Sequence, residues 1–158
     1  IRVTTVPVTT AEQMYRSVKS AYGTADVLIM AAAVADFRPL AAADQKIKKH
    51  EAALSIELEP TVDILKATLD CDRHPVRVGF AAETTNLAAY AREKLTSKRL
   101  DLIVANDVSS SDSGFGADTN RVTLIGVDGK LTDCPLMSKR DVADSILDRV
   151  VAIRAERA

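Results

Sequence analysis

Apolar and polar positions change period several times along the chain, and each change marks an element. Arg2 to Val6 is short and β-branched, a strand pattern. Thr9 or Thr10 then offers a helix cap, with Glu12 and Gln13 three residues on, a capping-box arrangement. Ala11 to about Tyr22 carries Met14, Val18 and Ala21 on one helical face, and Gly23 stops it. Val27 to Ala32 is continuously apolar, the mark of a strand buried on both faces. Asp36 to His50 breaks the pattern and reads as a loop. Ala53 to Leu58 alternates as a half-buried strand, Pro60-Thr61 opens a short helix to about Leu69, and Val76 to Ala81 is another strand. Thr84 or Thr85 caps a helix to about Lys98 with Leu87, Ala88, Ala91 and Leu95 as its core stripe. Leu102 to Ala105 is a strand and Ser109 to Asn120 a polar loop. Val122 to Val127, with a turn at Asp128-Gly129, predicts an edge hairpin closed near Leu131. Ser138 with Asp141 starts a last helix, with Val142, Ile146, Val150 and Ile153 at helical spacing.

Strands alternating with helices predict an α/β fold: a Rossmann-like, mostly parallel sheet with helices on both faces and a C-terminal antiparallel edge hairpin. In such sheets ligands bind beyond the carboxyl ends of the strands. The unusual residues gather there: Asp36 and Phe37 after one strand, Glu83 after the next, Asn106 and Asp107 after the third.

Composition narrows the class. The 158 residues are 47% apolar and 27% charged, which suits one folded domain. A formal net charge of −1 argues against a nucleic-acid partner. The longest apolar run, Val27 to Ala35, is far below the ~20 residues that span a bilayer, and no signal peptide is expected. Cys71 and Cys134 make no disulfide framework, and a cytoplasmic setting is expected. The chain opens Ile-Arg-Val-Thr-Thr-Val, without Met and already strand-like, so a fragment or processed product is expected.

Several residues can carry chemistry, each with a bland alternative. Lys46-Ile47-Lys48-Lys49 can reach over a site and neutralise phosphates, or be a solvated basic loop. Lys94 and Lys98 share a helix face, where an anion between them would relieve their repulsion. Asp36 can hold Mg²⁺ or a nucleotide hydroxyl, or cap a turn. Asn106 can orient a substrate by donating and accepting at once. Small neighbours in Gly79-Phe80-Ala81-Ala82 leave room for a flat ligand beside Phe80. Thr61 and Asp63 open a helix whose N–H groups can meet an anion, although Asp63 competes. Tyr90 and Lys94 have the Tyr-x-x-x-Lys spacing of short-chain reductases that use NAD(P), but no Gly-x-Gly dinucleotide loop and no Walker A loop accompany them. His50, His74 and the cysteines lack metal-ligand spacing, and no metal ligands are assigned. A non-catalytic binding or assembly fragment stays open beside the enzymatic readings.

Five segments in order resemble bacterial phosphopantothenoylcysteine synthetase. They are Ala31-Ala-Ala-Val-Ala-Asp36-Phe-Arg-Pro39, Lys46-Ile-Lys-Lys49, Val78-Gly-Phe-Ala-Ala-Glu-Thr84, Asp101-Leu-Ile-Val-Ala-Asn-Asp107 and Gly114-Phe-Gly-Ala-Asp-Thr-Asn120. The resemblance runs from about Thr5 to Val151. It implies CTP-dependent ligation of 4′-phosphopantothenate to L-cysteine through an acyl-cytidylate, releasing pyrophosphate and CMP, with Mg²⁺ on the phosphates. It places nucleotide contacts on Met30, Ala31, Ala32, Asp36, Lys46, the turn Val62-Asp63-Ile64-Leu65, Phe80, Lys94 and Lys98. Lys46 is then the cation that closes on the phosphates, and Asn106 orients the acyl substrate. The family's domain begins with a glycine-rich strand–loop–helix carrying an Asn and a Ser-Ser-Gly segment, which this sequence lacks. Residues 1–158 therefore read as the ligase domain without that segment. The flavin decarboxylase half that usually precedes it, the only part to hold FMN, is absent too. The resemblance also implies a homodimer, with a pairing strand expected near Val122–Val127.

Overall fold

The computed structural model describes residues 2–41, 45–46, 55–83, 87–107 and 117–157. Its framework is a five-stranded sheet in the order β1-β4-β5-β6-β7. β1 (Val27–Met30), β4 (Val76–Glu83) and β5 (Leu102–Asp107) run parallel, and β6 (Thr119–Gly126) and β7 (Leu131–Ser138) extend the sheet antiparallel. This is the expected α/β architecture with its antiparallel edge hairpin.

Helices cover both faces. Side chains alternate along the strands, so Val76, Val78, Leu102, Val104, Val122 and Leu124 share one face. Against them lies α4 (Lys139–Arg157), which buries Val142, Ile146, Val150 and Ile153, the expected stripe. Ser138 starts this helix by accepting from the Asp141 N–H at 3.1 Å. The opposite face holds Ala81, Ile103, Ala105 and Ile125 against Ala91 and Leu95 of α3 (Leu87–Ser97). The Leu87 and Ala88 side chains and the expected caps Thr84 and Thr85 lie outside the described set. At Gly79 on this face, a methyl group would come within 2.6 Å of Leu100 Cδ1, so the glycine lets Leu100 seat directly on the strand.

α1 (Ala11–Tyr22) is capped by Thr10, whose Oγ1 accepts from Gln13 N–H at 3.1 Å while Gln13 Oε1 accepts from Thr10 N–H at 3.2 Å. This resolves the choice of caps in favour of Thr10 and Gln13.

Six expectations need correction. Arg2 to Val6 is not a strand: β-branched residues become one only when a neighbour takes their N–H and C=O groups, and no described residue does so. The strand expected through Ala32 ends at Met30, and the backbone turns within two residues as Val34 N–H bonds Ala32 C=O at 3.1 Å. Part of the expected loop, β2 (Phe37–Pro39), pairs antiparallel with β3 (Leu58–Pro60) in a separate two-stranded sheet. The helix expected from Pro60 is a single turn, α2 (Ile64–Ala67). The polar loop before β6 ends by Thr119, and Val122–Val127 is not an edge, because β6 lies between β5 and β7. Residues 53–54 of the alternating segment and 109–116 of the polar loop lie outside the described residues.

Candidate nucleotide cleft

A cleft of about 190 Å³ opens beyond the carboxyl ends of β1 and β4. Met30 closes β1 at its floor, and Ala32, Val34, Ala35 and Asp36 line one side as the chain leaves the strand. Val62, Asp63, Ile64 and Leu65 line another as the chain enters α2. Phe80 contributes from β4 and Lys98 from just past α3.

Two loops meet through hydrogen bonds that no local pattern reveals. Thr61 Oγ1 donates to Ala35 C=O at 2.5 Å across 26 residues of sequence, and Thr61 N–H donates to Asp36 C=O at 2.8 Å. Val34 and Ala35 are thus cleft residues beyond the expected set, and Thr61, expected to open a helix, lines the cleft with them. Their signal is tertiary: Thr61 directly follows β3, whose pairing with β2 brings it to the chain entering β2.

Asp63 has two tasks. Its Oδ1 accepts from Lys66 N–H at 3.2 Å, capping α2, and its Oδ2 pairs with Lys98 Nζ at 3.2 Å. The Lys98 ammonium is therefore neutralised by a carboxylate at the cleft wall. Asp36 and Asp63 stand there against Lys98, so the lining by itself does not favour a polyanion.

The remaining expected residues lie elsewhere. Ala31 is exposed just after β1 and is not among the lining residues. Lys46 is exposed and not in the lining, and its neighbours Lys48 and Lys49 lie outside the described residues. Lys94 is half-buried one helical turn before Lys98, outside the lining. Asn106 sits in β5 beside Ala82 of β4, and its Oδ1 is buried with no hydrogen-bond partner among the described residues. Cys71 and Cys134 are free. No described helix is long and apolar enough to cross a membrane.

Comparison with known proteins places this geometry. The chain is 47% identical over 148 residues to the Coenzyme A biosynthesis bifunctional protein CoaBC of Bacillus subtilis, covering 94% of this chain and 36% of that protein. It superposes on the crystal structure of the C-terminal domain of a CoaBC with a TM-score of 0.77 at 38% identity, over 97% of this chain and 67% of that one. A Cab2 mutant in complex with phosphopantothenate-cysteine shares the fold, with a TM-score of 0.69 at 19% identity over 95% of this chain and 54% of that one. The chain spans about a third of the length of the Bacillus subtilis relative. Residues 1–153 match the model of the DNA/pantothenate metabolism flavoprotein C-terminal domain, and the chain belongs to that family.

Proposed function

We propose that residues 1–158 form the phosphopantothenate–cysteine ligase part of a longer coenzyme A biosynthesis protein. The observation that carries this reading is the cleft beyond β1 and β4, gathering Asp36, the Val62–Leu65 turn, Phe80 and Lys98 in a chain of this family. The reaction is CTP-dependent. The carboxylate of 4′-phosphopantothenate attacks the α-phosphorus of CTP, pyrophosphate leaves, and an acyl-cytidylate forms. The amine of L-cysteine then attacks the acyl carbon, CMP departs with the former carboxylate oxygen, and the amine loses a proton. A free carboxylate is a poor electrophile, and the cytidylyl group turns its oxygen into a leaving group.

Each residue's task follows from its place. Phe80 and Met30 offer apolar surface to the base, and backbone N–H groups at the Val62–Leu65 turn offer donors to the nucleotide. Lys98 exchanges Asp63 for a phosphate oxygen, Lys94 adds a cation on the same helix, and Lys46 closes from outside the lining. The excess of carboxylate in the lining suits a metal-bound triphosphate better than a bare one. Mg²⁺ prefers oxygen donors and keeps several phosphate or water ligands, so Asp36 alone can complete its shell. It would supply charge neutralisation at the departing pyrophosphate. Among the described residues Asn106 Oδ1 has no hydrogen-bond partner, a state that would cost about 1–3 kcal/mol if left so, and an amine or amide N–H of the acyl substrate or of cysteine is a suitable donor.

The rest of the proposal concerns the longer protein. A glycine-rich segment beyond this sequence completes the site, and a flavin decarboxylase half carrying FMN is fused to it. The setting is cytoplasmic, without nucleic-acid or membrane partners. The protein is a homodimer whose contact is the face of the β2–β3 sheet bearing Phe37 and Leu58, both exposed. That face is uncharged, so a second copy meets it without like-charge repulsion.

The test is pyrophosphate release by the full-length protein given CTP, 4′-phosphopantothenate and Mg²⁺. Release that requires 4′-phosphopantothenate, followed by product on adding cysteine, is expected. No release overturns the ligase reading in favour of a non-catalytic binding fragment. A fluorescence response to NADPH in its place would favour the reductase reading built on Tyr90 and Lys94.

A further inference from the structure

α2 has only four residues, well short of what holds a helix together unaided. Its position must be imposed by what surrounds it. Its first residues, Ile64 and Leu65, complete the Val62–Leu65 wall of the cleft, and its cap Asp63 holds Lys98.

The chief restraint comes from beneath. Arg77 projects from the start of β4 on the face away from α4 and is 5% exposed. Its guanidinium donates to Leu65 C=O, to Thr68 C=O at 3.4 Å and to the Tyr22 hydroxyl at 2.7 Å. It also lies 5.8 Å from the Tyr22 ring centroid. Thr68 Oγ1 donates to Ile64 C=O at 3.1 Å and Leu65 C=O at 3.0 Å, tightening the same turn. The backbone of Arg77 is itself fixed: Asp101 Oδ2 accepts its N–H at 2.8 Å, and Asp101 N–H donates to its C=O at 2.9 Å.

Among the described residues, no carboxylate pairs with this guanidinium, and its Nε has no partner. Burying an arginine without a counter-charge is unfavourable by several kcal/mol before its hydrogen bonds are counted. An apolar side chain of similar length would fill the space at lower cost, so packing alone does not account for the residue. What an apolar side chain cannot do is gather a carbonyl of α2, the carbonyl of its end residue Thr68 and a hydroxyl of α1 at one point on the sheet.

We infer that Arg77 is a positioning residue for the cleft, fixing α2 from behind so that the Val62–Leu65 turn stands where a nucleoside triphosphate needs it. The inference rests on the ligase reading for its ligand and on the hydrogen bonds for its geometry.

The test uses the full-length protein. Arg77→Met is expected to raise KM for CTP about tenfold while kcat falls less than about twofold, with the melting temperature unchanged or raised. Arg77→Lys, which reaches one carbonyl but cannot gather three acceptors, should leave KM about threefold above wild type. An unchanged KM in Arg77→Met overturns the inference, whatever happens to its melting. Should Arg77→Met fail to fold, Arg77→Lys decides: raised KM at unmoved melting supports the role, and wild-type KM overturns it. If the wild-type protein releases no pyrophosphate, the ligase reading has failed, and hydrogen exchange at the Lys66 and Ala67 amides judges Arg77 alone. Faster exchange in Arg77→Lys at unmoved melting upholds the positioning, and unchanged exchange ends it.

Discussion

The two faces of the main sheet are built on different principles. Under α4, the strands present Val76, Val78, Leu102, Val104, Val122 and Leu124, and the helix answers with Val142, Ile146, Val150 and Ile153. Branched side chains meet branched side chains, and the contact needs no hydrogen bond to define it. The other face is made of smaller groups, Gly79, Ala81, Ala91 and Ala105, around Leu95, Leu100 and Ile103. Buried polar residues stand there too, Arg77 and Thr68. Small residues bring α3 and α2 close to the sheet, and polar bonds fix a helix too short to fix itself. The first face supplies bulk stability, and the second gives up some of it to shape a cleft.

The largest effect should come from cutting into the first face. Ile146→Ala removes a buried branched side chain and should destabilise the fold by about 2–5 kcal/mol in denaturant unfolding. CTP affinity of the protein that remains folded should not change. A drop in affinity without unfolding would show that α4 shapes the cleft and would break the contrast.

Gly79→Ala tests the second face. The added methyl group must displace Leu100, and Leu65 Cδ1 stands 3.6 Å away as its next neighbour. Overpacking of this kind costs about 1–3 kcal/mol. Because Leu65 belongs to the cleft wall, CTP titration should show weakened binding as well, unlike Ile146→Ala. Lost stability with intact affinity would mean the strain escapes toward α3 alone.

The same contrast explains what the sequence reveals. The α4 face is written in local periodicity: a helical stripe opposite apolar strands, with Ser138 and Asp141 at the helix start. The capping box at Thr10 and Gln13 and the turn at Asp128-Gly129 are local too, and Gly129 takes the positive φ of 77° that such a turn favours. The cleft face is written in distant pairings. β2 and β3 are short, carry prolines, and join only through partners such as Phe37 and Pro60. Thr61 looks like a helix opener until its bond to Ala35 is seen. Arg77 is a polar residue in a strand, and nothing near it in sequence predicts that its acceptors lie at Tyr22, Leu65 and Thr68. The cleft segments are visible as motifs, but the hydrogen bonds that join them are not.

Asp63→Asn probes the pair at the cleft wall. Asn caps a helix about as well as Asp, and the Asp63–Lys98 pair is partly exposed, so stability should change by less than about 1 kcal/mol. Freed of its carboxylate, Lys98 should bind phosphate more readily, and CTP affinity measured by calorimetry should rise about threefold. A fall in affinity would mean that the carboxylate itself takes part in binding, through a metal ion or a hydroxyl of the nucleotide.

The smallest effect belongs to the stable face and depends on pH. Asp128, in the β6–β7 turn, has its carboxyl held below the usual aspartate range, first by the Lys130 backbone N–H at 3.0 Å and, against some desolvation, by Arg149 of α4. A carboxyl with a lowered folded-state pKa binds protons less readily folded than unfolded. Its contribution is therefore present above the unfolded aspartate pKa and is lost as acid titrates the group through the folded value. Wild type should be slightly more stable than Asp128→Asn near neutral pH, and the gap should close on acidification below about pH 4. The side chain is 47% exposed, so water screens the Arg149 pair and the gap stays small. CTP affinity should be the same in both proteins, because this turn touches the sheet edge and α4 but not the cleft lining. A gap that widens in acid would reverse the sign of the linkage and show that the native turn prefers the protonated carboxyl.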